Sequence, residues 1–248
     1  MSDVERALVA GASGDTGREL LSVLSQSDLE VRATTRSYAD VPRLERLGAD
    51  DVVVVNLFES ADAVRAVKDC DVVYCTVGSP VGIRHVLGGK LVDRTGVINL
   101  LTASIGADAD HFVYQSAIGV GNSRRGMALP FRLLVRGSLQ AKGDSETALR
   151  RSGLDYTIVR PGKLTDDPPT SEALVGEGGD SVSGSIPRAD VAQLMAAAPF
   201  TSDARNRTFE VVSRDGLKES PKNIVDVEWA FDRVGIDESL RARSDVSG

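Results

Sequence analysis

A short apolar stretch, a glycine-rich loop and an amphipathic run lie next to one another near the start of this chain. They read ALVA at residues 7–10, GASGDTG at 11–17 and RELLSVL at 18–24. An apolar strand that leads through glycines into a helix lets the backbone approach a pyrophosphate closely, and the free amides at the helix N-terminus stabilise its negative charge. We therefore predict a dinucleotide-binding loop here; an ordinary tight turn between a strand and a helix is the alternative.

Apolar stretches and helical patterns then alternate over most of the 248 residues. Further strands are predicted at 30–35, 51–55, 71–75, 111–115, 155–160 and 208–212, with helices between them. Such alternation requires right-handed crossovers and a parallel sheet. We expect an α/β protein with a Rossmann-like doubly wound parallel sheet and helices on both faces, folded as a single domain over 1–248 with its core at about 6–212.

Three segments fit this alternation less well. Residues 166–184 contain adjacent prolines and several glycines, and we predict a lid or excursion there. Residues 213–248 form a small C-terminal extension, with a final helix at about 223–234 and a frayed tail. The loop at 122–127 is basic in an acidic protein. It either holds an anionic substrate or simply lies in solvent.

Composition excludes several classes of function. The formal net charge of −7 argues against nucleic acid as the main partner, although the acidity fits a salt-rich cytoplasm and a biased nucleotide composition equally well. No apolar run is long enough to span a bilayer, and the acidic N-terminus lacks a secretory signal, so we expect a cytoplasmic protein away from membranes. Its two cysteines and two histidines have no metal-ligand spacing, so no metal is expected.

Arg36 and Ser37 follow the predicted second strand. In a dinucleotide-binding unit, an acidic residue near this point binds the ribose 2′-hydroxyl, whereas an arginine accommodates a 2′-phosphate. No Asp or Glu lies between Val31 and Tyr38. The guanidinium can hold a phosphate bidentately, so we predict NADP(H), with NAD(H) less favoured; a solvated loop arginine is the alternative.

Several residues lie just past predicted strands, where ligands bind to doubly wound sheets. They are Gly17, Arg36, Asn56, Gly78, Ser116 and Pro161. Because the carboxyl ends of parallel strands meet at one edge of the sheet, we expect these positions to share one site.

These motifs resemble the atypical short-chain dehydrogenase/reductase group, in its NAD(P)H-binding, NmrA-like branch. The resemblance covers about 7–212 and rests on the glycine loop, the Arg36 position, DRTGVINLL at 93–101, SAIG at 116–119, AK at 141–142, GLDYTIVRPGKLTD at 153–166 and PRADVA at 187–192. It implies the fold and the cofactor strongly and a particular reaction only weakly.

The wider group uses a Tyr-x-x-x-Lys pair, in which the tyrosine protonates the substrate and the lysine holds the ribose. Aligning that lysine with Lys142 places Ser138 at the tyrosine position. The resemblance therefore implies a ribose-binding and catalytic role for Lys142 and leaves the proton donor open. Ser116 is a candidate donor; alternatively, it only hydrogen-bonds the cofactor or caps a turn.

The complete set of predicted cofactor contacts combines the loop, the strand ends and the resemblance. It is Gly11, Ser13, Gly14, Asp15, Thr16, Gly17, Arg36, Ser37, Asn56, Leu57, Thr76, Val77, Gly78, Ser116, Lys142 and Pro161.

Three functions agree with this site. The first is an NADPH-dependent reductase of a small conjugated acceptor such as a quinone or flavin, whose reduced anion needs no strong protein acid. The second is a non-catalytic, NmrA-like redox sensor, which the missing tyrosine also fits. The third is a sugar-nucleotide epimerase or dehydratase, for which few residues remain after Pro187 to build a substrate domain. We expect a small-molecule substrate and a monomer or homodimer.

Overall fold

The computed structural model describes residues 4–79, 91–123 and 135–236. Its strands are β1 Arg6–Ala10, β2 Glu30–Thr35, β3 Asp51–Val54, β4 Val72–Cys75, β5 His111–Gln115, β6 Asp155–Pro161, β7 Lys163–Thr165, β8 Ala173–Glu177, β9 Ser185–Pro187 and β10 Arg207–Ser213. Its helices, numbered over the described ranges, are α1 Asp15–Leu24, α2 Val41–Arg46, α3 Ser60–Val67, α4 Thr95–Gly106, α5 Arg136–Arg150 and α6 Arg188–Ala197.

Eight strands form the central sheet in the order β3-β2-β1-β4-β5-β6-β10-β8, and β7 pairs with β9 in a small second sheet. The pairings from β3 to β10 are all parallel, and β8 joins β10 antiparallel. The strand order reverses between β1 and β4, which is where a doubly wound sheet opens a crevice for ligands. The predicted fold class is confirmed.

Helices cover both faces of this sheet. On one face, Leu20, Leu21 and Leu24 of α1 and Met195 of α6 join the larger apolar core. On the other face, α3, α4 and α5 pack on a second core that includes Leu100. Covered on both sides, β4 is buried along its whole length, which explains its continuous apolar sequence.

The predicted lid or excursion at 166–184 is wrong for the part that forms a strand. Residues 173–177 form β8, which pairs with β10 at the edge of the sheet. Gly178 and Gly179 then reverse the chain with φ values of +90° and +87°, a region that glycine enters without steric cost. Only the short run at 173–175 carries an apolar strand signal in β8, so the surrounding glycines and prolines dominated the sequence pattern.

The predicted C-terminal helix at 223–234 is also wrong. The segment runs extended beside β8, with Val225 N–H donating to Val175 O at 2.9 Å, and only Phe231–Val234 forms a 3₁₀ turn. Val227, Trp229 and Phe231 are buried against the core. Their spacing of two is the period of an extended chain and explains why no α-helix forms.

Other expectations concern residues outside the described ranges. The basic loop at 122–127 is described only as far as Ser123, and the tail beyond 236 lies outside as well. Among the helices of the described residues, none combines the length and the apolar character needed to cross a bilayer.

Candidate functional site

The glycine loop connects β1 to α1 at the crevice. Gly11 has φ +86°, a conformation that disfavours side chains. A Cβ on Gly17 would lie 2.3 Å from Gly11 O, so this glycine lets α1 pack directly on the loop. Gly14 caps α1 without a side-chain hydrogen bond. The first-turn amides of α1 have no acceptor within the helix and are available to an anion.

A cleft of about 390 Å³ lies beside this loop, along the carboxyl ends of β1, β2, β3 and β4. Nine of the predicted cofactor contacts line it: Gly11, Ser13, Gly14, Arg36, Asn56, Leu57, Thr76, Val77 and Gly78. The remaining lining residues are Thr34, Thr35, Val55, Phe58, Ser79, Leu91 and Val92. The sheet thus brings together most of the predicted positions, and an apolar wall of Val, Leu and Phe side chains suits a planar base.

Arg36 is exposed at the mouth of the cleft and has no hydrogen bond or ion pair with the described residues. Ser37 lies beside it but outside the cleft lining, and its Oγ accepts the Ala39 N–H at 3.2 Å. Asn56 uses its Oδ1 to accept the Phe58 N–H at 3.2 Å. Arg36 is therefore the side chain of this group that is free to meet a phosphate.

Six other predicted contacts lie outside the cleft lining: Asp15, Thr16, Gly17, Ser116, Lys142 and Pro161. Asp15 is exposed and pairs with Arg18. Pro161 is buried at the end of β6, where its carbonyl accepts the Ile118 N–H at 3.0 Å. The roles of these six residues toward a cofactor stay predictions.

Lys142 projects from α5 to the end of β5. Its Nζ donates to Gln115 O at 3.1 Å and lies 3.6 Å from Asp93 Oδ1. The Ser138 Oγ donates to the same carboxylate oxygen at 3.2 Å. Asp93 Oδ2 in turn accepts the N–H of Ser79, which lines the cleft, at 2.9 Å. Lys142 is therefore linked to the cleft wall through Asp93.

Ser116 follows β5 and is buried, and its Oγ forms no full hydrogen bond with the described residues. It lies beside the Glu146 carboxylate, which Arg160 binds through two nitrogens at 2.9 Å and 2.7 Å. Burial would raise the pKa of Glu146, but the hydrogen bonds and charge of Arg160, with help from the Ser116 hydroxyl, lower it. Glu146 therefore stays ionised and acts as an acceptor rather than an acid.

The described part of the site offers no obvious acid of suitable strength. Tyr114, below the Lys142 ammonium, has no exposed surface, and burial raises the pKa of its phenol well above the ordinary value. Burial likewise raises the pKa of Cys75 to about 12. The Ser138 hydroxyl, at the expected tyrosine position, is hydrogen-bonded to Asp93.

Buried polar atoms at the end of β5 leave hydrogen-bonding capacity for a ligand. Gln115 Oε1 is buried and unpaired within the described residues, and the buried Ser116 Oγ has only a weak contact with the Glu146 carboxylate. Such atoms are rare and require a partner such as a ligand or water. Together with the open amides of α1 and the free Arg36, they fit a dinucleotide. The described residues contain no group of side chains that could hold a metal ion.

Sequence reasoning missed Asp93, Gln115 and Thr34. Asp93 belongs to the DRTGVINLL motif, but its polar neighbours Arg94 and Thr95 gave no signal that it would be buried. Thr34 Oγ1 accepts the Gly11 N–H at 3.2 Å, a contact between strands that no local pattern reveals. The Gln115 side chain, which donates to Thr16 Oγ1 at 3.4 Å and leaves its own Oε1 unpaired, likewise depends on contacts between distant segments.

Comparison with known proteins agrees with this geometry. The chain is 31% identical over 231 residues to an uncharacterized chloroplastic protein of Arabidopsis thaliana, covering 88% of this chain and 79% of that protein. It is 30% identical over 214 residues to the uncharacterized sugar epimerase YhfK of Bacillus subtilis, covering 85% and 95%.

The fold is also that of ChuY, an anaerobillin reductase from Escherichia coli O157:H7, with a TM-score of 0.75, 20% identity, and coverage of 87% of this chain and 100% of that one. A family model described as NAD(P)H-binding matches residues 11–201, from the glycine loop to the end of α6 and the turn beyond it. This chain therefore has a Rossmann-like fold and belongs to the NAD(P)H-binding family.

Proposed function

We propose that this protein is an NADPH-dependent reductase of a small conjugated acceptor, of quinone or flavin type. The observation that carries the proposal is that Ser138, at the position of the family tyrosine, donates to Asp93. A simple carbonyl becomes a localised alkoxide when it receives hydride and needs an acid at once. A conjugated acceptor delocalises the charge, so water can supply the proton.

NADPH, when bound, supplies the hydride, and the protein supplies binding and orientation. We propose that the first-turn amides of α1 hold the pyrophosphate and that Arg36 holds the 2′-phosphate. Lys142, between Gln115 O and Asp93, is placed to hold the ribose. Ser116 is a candidate hydrogen-bond donor to the cofactor or to the acceptor.

The test is a panel of acceptors, with the loss of NADPH absorbance as the measurement. We expect turnover with quinones, free flavins or linear tetrapyrroles, and little with simple aldehydes and ketones. Lys142→Met removes the proposed ribose contact, so it should weaken NADPH binding and thereby slow turnover. Tight NADPH binding without turnover of any acceptor would contradict the reductase proposal.

An NmrA-like, non-catalytic sensor is the second candidate, because the same Ser138 contact leaves the described site without a strong acid. A sensor should bind NADPH and NADP⁺ with clearly different affinities and copurify with a protein partner. The Bacillus subtilis relative carries the name of a sugar epimerase. Conversion of a nucleotide-linked sugar in the same panel would favour that third function.

We further propose a cytoplasmic protein that acts on a small molecule as a monomer or homodimer, without nucleic-acid or membrane partners. The net charge of −7 supports the absence of a nucleic-acid partner. The Arabidopsis relative is chloroplastic, and cell fractionation tests whether this protein is cytoplasmic. Size-exclusion chromatography with light scattering tests the oligomeric state.

A further inference from the structure

We propose that Asp93 is a positioning residue that holds the Lys142 ammonium beside the cofactor cleft. Its side chain is fully buried, and a carboxylate taken out of water is costly unless it is paired and hydrogen-bonded. Lys142 Nζ, 3.6 Å away, is the cation that pairs with it among the described residues. The proposal rests on the cofactor role of Lys142 that the proposed function includes.

The two carboxylate oxygens have different partners. Oδ1 faces α5, where it accepts the Ser138 hydroxyl at 3.2 Å and lies near the Lys142 ammonium. Oδ2 faces the end of β4, where it accepts the Ser79 N–H at 2.9 Å. One carboxylate therefore connects the lysine helix to a residue of the cleft wall.

The backbone of Asp93 strengthens this connection. Its carbonyl oxygen accepts the Ser145 hydroxyl at 2.7 Å. Ser138, Lys142 and Ser145 are spaced by four and three residues, so they lie on one face of α5. Three side chains of that face thus contact the same residue, which fixes α5 relative to the strand ends.

Lysine needs such fixing because its four-carbon stem is flexible. The Lys142 ammonium has a second contact, to Gln115 O at 3.1 Å, and lies above the Tyr114 ring with Nζ 5.4 Å from the ring centroid. The Gln115 carbonyl and the Tyr114 ring alone would let the Lys142 ammonium move. The Asp93 carboxylate attracts the ammonium and holds it on the side that faces the cleft wall. Ser138, at the position where the family resemblance implies a tyrosine, donates to this same carboxylate.

The test is a double-mutant cycle on NADPH affinity, measured by calorimetry with the full chain. Asp93→Asn keeps the shape of the side chain but replaces its negative charge with a neutral amide beside the Lys142 ammonium. We expect it to raise the NADPH Kd about tenfold in the wild-type background and less than about twofold in the Lys142→Met background. An equal effect in both backgrounds, or no effect in either, would overturn the proposal.

Ser138→Ala is the second variant, because it removes one donor to Asp93 and leaves the charge pair in place. It should raise the Kd about threefold, again only when Lys142 is present. If Asp93→Asn does not fold, this variant decides the question by the same comparison.

Asp190→Asn is the matched control. Asp190 is as deeply buried and accepts hydrogen bonds from Thr170 and Ser171, which lie far from Lys142 in the sequence. It should lower the melting temperature without coupling to Lys142→Met; equal coupling for both aspartates would overturn the proposal. Failure of the proposed function is distinguishable, since it would leave this coupling intact while no acceptor is reduced.

Discussion

Arg36 is the residue on which the choice between the two nicotinamide cofactors depends. It is exposed at the cleft and has no hydrogen bond or ion pair with the described residues, so no such contact must break for it to meet a 2′-phosphate. We expect Arg36→Ala to weaken NADPH binding by about 1.5–3 kcal/mol, the range of hydrogen bonds to charged groups. NADH binding, measured by the same titration, should change little.

Arg43 provides the control for this prediction. It is also exposed, on α2, but does not line the cleft. Arg43→Ala should leave the affinities of both cofactors near those of the wild type. Equal weakening of NADPH and NADH by Arg36→Ala would show that the guanidinium does not distinguish the phosphate.

His111 lies outside the cleft lining and is buried, so we expect it to affect stability. It is buried at the start of β5, and its Nε2 lies 3.0 Å from Thr157 Oγ1, which donates to Ala204 O. Because that hydroxyl has one hydrogen, His111 Nε2 must be the donor in the first bond. Burial lowers the pKa of His111 from 6.5 to about 4, so the ring is neutral in the folded protein.

The lowered pKa of His111 makes the stability of the protein depend on pH. Below about pH 6.5, His111 is protonated in the unfolded chain but stays neutral in the folded protein. The free energy of unfolding therefore falls as the pH drops toward about 4. The full loss is roughly 3 kcal/mol, at about 1.4 kcal/mol per pKa unit. Urea unfolding over this range should show a steeper loss for the wild type than for His111→Gln; parallel curves would contradict the assignment.

At the scale of elements, the contact of α1 with the glycine loop is the most sensitive point. A Cβ on Gly17 would lie 2.3 Å from Gly11 O and 2.8 Å from Ala12 Cα, both backbone atoms. Gly17→Ala must therefore push α1 away from the loop. We expect a loss of about 1–3 kcal/mol in the free energy of unfolding, as for other overpacked sites, together with weaker NADPH binding.

Gly106, at the end of α4, is the matched position because a Cβ there would meet nothing within 4 Å. Gly106→Ala should be neutral or stabilise the fold by up to about 1 kcal/mol, since alanine has the higher helix propensity. Denaturation midpoints compare the two variants. Equal changes in the two denaturation midpoints would mean that the close contact at Gly17 does not limit how α1 packs on the loop.

Elements with strong local patterns were predictable from the sequence, and those with weak ones were not. The β4 residues Val72 and Cys75 belong to a continuous apolar run, which a strand covered on both faces requires. By contrast, β8 has little sequence signal, since an edge strand is held largely by pairing with β10. The segment around Trp229 had the spacing of an extended chain, but its place depends on packing against Phe209, with ring centroids 5.7 Å apart.

At the scale of the whole molecule, cofactor binding should appear as added stability. A ligand at 100 times its Kd stabilises the folded state by about 2.7 kcal/mol. Melting curves with NADPH, NADP⁺, NADH and no addition should show the largest shift with the phosphorylated cofactors. Absence of a shift with every one of them would contradict cofactor binding by this chain.

The sequence by itself determined the alternation of strands and helices, the glycine loop and the Arg36 position, because each depends on neighbouring residues. Burial on two faces demands apolar runs, and an anion site at a helix start demands glycines. Only the tertiary structure decided that β8 joins the sheet antiparallel and that Asp93 meets Lys142 at 3.6 Å. Those contacts join segments far apart in the chain, and their energies come from pairing and burial that no local pattern contains.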